Sequence, residues 1–282
     1  MTTTSLTTTS PTTTSRTTTS PIGNRSAVRT RSDNVSAVPA ALKSEWIKLA
    51  SLRTNRVILG LTAVVGAFTA WALAVSAKGE SLTASELFIY PLPLIATLAT
   101  VTGILMFTAE AQHGTLATSL TARPARWVIA SAKAATAAMV GLVLGATGMV
   151  AGFGGAVLGG LDLGNGSALV SRSLWALLYV CLAALIGLGV GMIARHSAGA
   201  ISGLLMWSFV VESLFAPALP DGLVHFLPFS AGYRLLDAGS NFNPPVAIAS
   251  ELARPQYALI FGAYALATLT IGTFLLYRRD TN

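Results

Sequence analysis

Charge is what this sequence has least of. Only 10% of its 282 residues are charged, while 53% are hydrophobic; soluble domains carry about 25% charged residues. With a mean hydropathy of +0.66, the chain is short of the polar surface that a fold in water needs. Cysteine is nearly absent too. Cys181, the single one, lies inside an apolar run, which excludes an internal disulfide framework and any multi-cysteine metal site. The three histidines, His113, His196 and His225, are dispersed along the chain. There is no HExxH, no GxSxG, no pair of membrane aspartates and no GxxxxGK[ST] loop. Metalloproteases, serine hydrolases and P-loop ATPases need those groups on their own chain. We therefore expect no enzymatic activity, and no cofactor or metal held by this chain. The net charge of +7 does not imply nucleic acid as a partner, because the cations flank apolar segments and form no basic face.

The apolar residues are grouped into six long runs, at 57–77, 87–108, 134–158, 173–194, 197–217 and 257–277. Each is long enough to cross a hydrocarbon core about 30 Å thick as a helix. Helices follow because backbone polar groups in lipid must be satisfied within the segment, and a β-barrel would show short alternating segments instead. The expected fold is an all-α integral membrane protein with six transmembrane helices over residues 39–282. In the third run Gly141 and Gly145, Gly148 and Gly152, and Gly155 and Gly159 are spaced by four; Ala183, Gly187 and Gly191 repeat this in the fourth. Small residues at that spacing let helix backbones approach closely, which predicts that these two spans form the packed centre. The GLGVG at 187–191 has no strand before it and reads as helix packing, not as a phosphate loop.

Lysine and arginine number 14 in the segments on one side of these spans and four on the other. The positive-inside rule then puts both termini, and the connection from 110 to 133, in the cytoplasm. Before the first span, residues 1–38 open with four pentapeptides, TTTSL, TTTSP, TTTSR and TTTSP. Nothing in them could bury a core or serve as a signal-peptide centre, so they predict a disordered tail, either phosphorylated or dispensable. The stretch from 40 to 56 places Leu42, Trp46, Leu49 and Leu52 on one helical edge, with Lys43, Glu45 and Lys48 around the rest. That pattern fits an amphipathic helix on the membrane surface with Trp46 at headgroup depth, or else an extension of the first span.

Glu212 is the only charge inside a run. It reads either as a structural carboxylate bonded to the following loop, through Arg234 or backbone amides, or as a polar element of a transport path. We prefer the structural role, since a proton-coupled carrier would place several ionisable groups near the midplane. The following connection, 218–256, is too apolar for a purely solvated loop. It predicts short helices dipping into the outer leaflet, broken at Pro228 and Gly232, or a membrane-hugging cap. On the cytoplasmic side, EAQHGTLATSLTARPARWVIASAK (110–133) is split by Pro124 into a short exposed helix and a piece entering the third span. Leu116 and Leu120 share a face of that helix and suit a groove on a partner. A plain solvated hinge is the alternative, and a metal role for His113 lacks ligands beyond Glu110.

Three stretches together resemble the permease subunits of type-2 ATP-binding-cassette (ABC) exporters of the actinobacterial kind. They are LKSEWIKLASLRTNR (42–56), the 110–133 connection, and WSFVVESLFAPAL with FLPFSAG around and after the fifth run. The most specific element is E-x-x-HGT, formed by Glu110, His113, Gly114 and Thr115, followed by Pro124, Arg126 and Lys133. The resemblance covers residues 41–279. It implies a half-transporter that exports substrate as a homo- or heterodimer of permease subunits, driven by a separate ABC ATPase subunit that binds the ATP. The ATPase-coupling residues would be Glu110, His113, Gly114, Thr115, Leu116, Leu120, Arg123 and Arg126. The family's connecting helix would be the surface helix carrying Leu42, Trp46, Lys48, Leu49 and Arg53. A secondary carrier, or a non-transporting membrane anchor or immunity protein, are the alternative functions.

Overall fold

A computed structural model describes residues 53–77, 82–112, 126–236 and 252–279. The tail, most of the expected surface helix (Leu42, Trp46, Lys48, Leu49) and the loop residues His113 to Arg123 lie outside the described residues. Among the described residues the protein is all-helical, with six helices long and apolar enough to cross a membrane.

The first, α1, is Arg53–Ser76; a one-turn helix, Ala84–Leu87, then leads into α2, Leu92–Gln112. The third and fourth spans are α3, Arg126–Leu158, and α4, Gly166–Ala194. The fifth begins as α5, Ser197–Met206, and runs on to Ala218 through irregular turns. A separate helix, α6, Pro228–Leu236, precedes the last span, α7, Arg254–Arg279. Pro228 opens α6, as the sequence suggested, but Gly232 does not break it. Glycine inside a helix costs only about 1 kcal/mol, and its missing side chain makes room for the Tyr179 and Phe261 rings packed against it.

Close contacts at glycines set the order of the helices. A side chain at Gly66 of α1 would meet the backbone of Gly148 in α3, and one at Gly159 would meet Ala74. Those two spans therefore run parallel. Gly187 and Gly191 of α4 face the backbone of Thr100 and Ile104 of α2, also in parallel, and Gly103 returns the contact against Ala184. Gly141 of α3 meets Cys181 of α4 while Gly145 meets Leu177, which is antiparallel. Gly189 and Gly272 bring α4 against α7. This pattern is what consecutive crossings require. One end of the bundle, the near end, holds the start of α1 and the finish of α2, α4 and α7; the far end holds the opposite termini.

The centre is α4, which packs on α2, α3, α6 and α7. The sequence pointed to α3 and α4 as the packed pair; instead α2, with one glycine, is as deeply enclosed as α4, and α3 is less so. Phe88, Ile95, Tyr179, Val180, Ala184 and Phe261 lie in the largest buried cluster. Polar side chains within the spans are satisfied locally, as lipid demands. Thr62, Thr97, Thr102, Thr108 and Thr136 each donate to the carbonyl four residues back. Thr100 does so too and also reaches across to the carbonyl of Ala183 at 3.1 Å.

Candidate functional sites at the two ends of the bundle

At the near end, the expected coupling connection starts from α2 and returns into α3. Glu110 sits in the last turn of α2, and Arg126 is the first residue of α3. The remaining members, His113, Gly114, Thr115, Leu116, Leu120 and Arg123, lie outside the described residues. What the structure does place is the pair that brackets them. The Nζ of Lys133 lies 2.8 Å from Oε2 of Glu110, with the lysine 1% and the glutamate 17% exposed. Lys133 shares a face of α3 with Ala130 and Ala137, three residues before and four after it. Those alanines belong to a buried cluster with Phe107, Leu188, Met192 and Leu276. The ion pair thus clamps the two shoulders of the connection at the edge of an apolar core, where a lone charge is costly. Nearby, Ser197 at the start of α5 donates to Oε1 of Gln112 at 3.3 Å, so α2 and α5 also meet here.

Spans four and five are joined by only two residues. Arg195 closes α4 with a left-handed φ of 56°, its amide donating to Gly191, and the side chain of His196 caps α5 by accepting from Gly199. Sequence reasoning assigned this joint no role.

At the far end stands Glu212, 2% exposed. Its Oε1 accepts the indole N–H of Trp207 at 3.2 Å and the amide of Phe229 at 2.9 Å. Its Oε2 accepts the amide of Ser230 at 2.8 Å and the hydroxyl of the same residue at 3.0 Å. Four donors on two oxygens is the full capacity of a carboxylate. The geometry follows from α6. The first N–H groups of a helix have no partner within it; Pro228 has none to offer, and Leu227 before it has no side-chain acceptor. Phe229 and Ser230 are left, and Glu212 caps both from another span. Of the two partner sets considered for a structural carboxylate, these are the backbone amides; the guanidinium of Arg234 lies 5.9 Å from the centre of the Tyr257 ring.

Span five reaches this position through a local irregularity. Residues Trp207–Val211 form a wide π turn, and the amide of Glu212 bonds to the carbonyl of Trp207, five residues back. Ala200, Leu204, Glu212 and Ala216 are its buried residues. In an unbroken α-helix Glu212 would stand about 80° round from Leu204; absorbing one residue in a π turn brings it back to within about 20°. The same turn places the Trp207 indole over the carboxylate. Neither Trp207 nor Ser230 was legible beforehand as a partner of Glu212. The only available signal was Pro-Phe-Ser with no cap of its own, and that does not say which distant acid supplies one.

Two further contacts hold this end. Nδ1 of buried His225 is 3.0 Å from the hydroxyl of Tyr257, and the Tyr264 hydroxyl donates to the carbonyl of Phe226 at 2.7 Å. Beneath α6, a small pocket is lined by Ala96, Thr100, Tyr179, Ser208, Phe229 and Tyr233, among others. Among the described residues no three His, Cys, Asp or Glu side chains come together as a metal site. In comparisons with known proteins, the chain matches no family model and no curated protein.

Proposed function

We propose that this multi-pass membrane protein is the permease subunit of an ABC exporter in the cytoplasmic membrane. The near end and both termini face the cytoplasm, and the ATP is bound and hydrolysed by a separate ATPase subunit. The translocation path forms against a second permease subunit, identical or related. The observation that carries this reading is the Glu110–Lys133 pair. It joins the two shoulders of the connection that bears the E-x-x-HGT pattern. A partner pressing on that connection would move α2 and α3 together, and through them the parallel contacts that each makes with α4 and α1. The excess of lysine and arginine at this end supports the orientation.

The test is affinity purification of the tagged protein from its native membrane in mild detergent. A P-loop ATPase is expected to co-purify with the native chain and to be lost from a correctly inserted Glu110→Ala, Gly114→Pro variant. If no ATPase appears and transport depends on an ion gradient without ATP, the chain is a secondary carrier. If no transport is found and the loop variant keeps its biological effect, it is a membrane anchor.

A further inference from the structure

We infer that the cleft between α3 and α7 at the near end holds an acyl chain of an anionic phospholipid, whose headgroup is met by Arg126 and Arg278. The cleft exists because both helices pack along α4 and barely along each other. Ala130, Ser131 and Ala134 form its α3 wall, and Leu269, Thr270 and Phe274 stand on its α7 wall, around a volume of about 390 Å³. That lies within the size range of small-molecule sites. Ala130, Ala134 and Leu269 lead back to the buried cluster that includes Leu188 and Met192 of α4. Ser131, Thr270 and Phe274, on the rim, are exposed. Both walls fall inside the stretches apolar enough to cross a membrane, 129–158 and 254–276, within about two turns of their near-end limits. The cleft therefore opens at the edge of the hydrocarbon, beside the upper part of the lipid chains.

The walls select an apolar occupant. The hydroxyls of Thr270 and Thr273 donate to the carbonyls of Ala267 and Leu269 in their own helix, so neither is offered to a polar solute. Charge then selects the headgroup. Arg126 stands four residues before Ala130, and Arg278 four after Phe274. Each helix thus carries an arginine in register with the cleft, one turn nearer the membrane surface. Arg278 is exposed. Among the described residues Glu110 is the only acid at this end, and it faces Lys133. Basic pockets between spans are where anionic headgroups bind. A second copy presenting the same face would instead set its own two arginines against these. This inference does not depend on how the protein is driven.

The test is native mass spectrometry of the full chain in mild detergent, titrated with dioleoylphosphatidylglycerol or dioleoylphosphatidylcholine. These share their chains and differ in headgroup charge. The first phosphatidylglycerol is expected to bind about tenfold more tightly than the first phosphatidylcholine. Arg126→Gln with Arg278→Gln should bring the two within about twofold, by weakening phosphatidylglycerol alone. Thr270→Trp, from its exposed position, fills the cleft and should weaken phosphatidylglycerol by about fivefold or more. If that variant does not run as a single species on size-exclusion chromatography, Ser131→Trp on the opposite wall decides. Equal affinity of the native chain for both lipids, or a preference that survives both arginine substitutions, would overturn the inference. So would unchanged phosphatidylglycerol binding with the cleft filled, which would leave the headgroup at the surface and no chain between the helices. A native dimer split by filling the cleft would assign this face to a second copy and overturn it too.

Discussion

The side chain of Lys133 is only 1% exposed, and the carboxylate of Glu110 beside it offsets the cost of placing an ammonium there. Removing either partner of a buried ion pair costs about 3–5 kcal/mol, since the survivor keeps its desolvation penalty. Lys133→Met and Glu110→Gln should each lower the thermal unfolding midpoint of the detergent-solubilised protein. The double variant should recover much of the loss, because it leaves no uncompensated charge; a double variant as unstable as the sum of the singles would mean that the two side chains are not coupled. At this scale the sequence was partly legible. Glu212 stood out as the single charge in six apolar runs, and Glu110 and Lys133 stood out as the polar edges of a connection. Their partners did not. Ser230 is 18 residues beyond Glu212 and Trp207 five before it, and no helical periodicity links positions so placed.

Among the helices, glycine does the positioning where two backbones touch. At Gly187 an added Cβ would run into the carbonyl of Thr100, whereas at Gly154 it would meet nothing within 4 Å. Gly187→Leu should therefore separate α2 from α4 and leave little monodisperse protein on size-exclusion chromatography. Gly154→Ala should be neutral or raise stability by up to about 1 kcal/mol, through helix propensity alone. Equal effects of the two substitutions would show that close approach at Gly187 is unimportant. The four-residue glycine spacing was visible in the sequence because it repeats along one helix. Gly103 was not, since a lone glycine has no period, and Gly232 looked like a breaker because glycine's two uses, turning a chain and admitting a neighbour, leave the same letter. The π turn was equally hidden: its effect is to keep a face aligned, and only the finished packing shows that alignment.

For the molecule as a whole, six apolar runs were enough to give the fold class, because spanning lipid constrains length and composition so strongly. Which helix lies at the centre was harder to read, because a span facing lipid and one facing other spans are equally apolar. Orientation can be checked independently of any partner. In the Cys181→Ala background, a cysteine replacing Leu163 in the exposed far-end turn should react with an impermeant reagent added to intact cells. One replacing Ala198, exposed at the start of α5, should react only after the membrane is opened. The reverse pattern would invert the topology and place the Glu110–Lys133 connection outside the cell, where no ATPase could reach it.

The two-residue joint between α4 and α5 makes span five a lever with its pivot at one end. Arg195 and His196 are each committed to ending one helix or starting the next, so the joint has little slack. Along a 22-residue span, about 33 Å at 1.5 Å per residue, a tilt of about 10° would carry the tip about 6 Å while the pivot barely moved. A small displacement near the pivot would thus become a larger one towards Glu212, so that the shortness of a loop would give the chain travel at the expense of force.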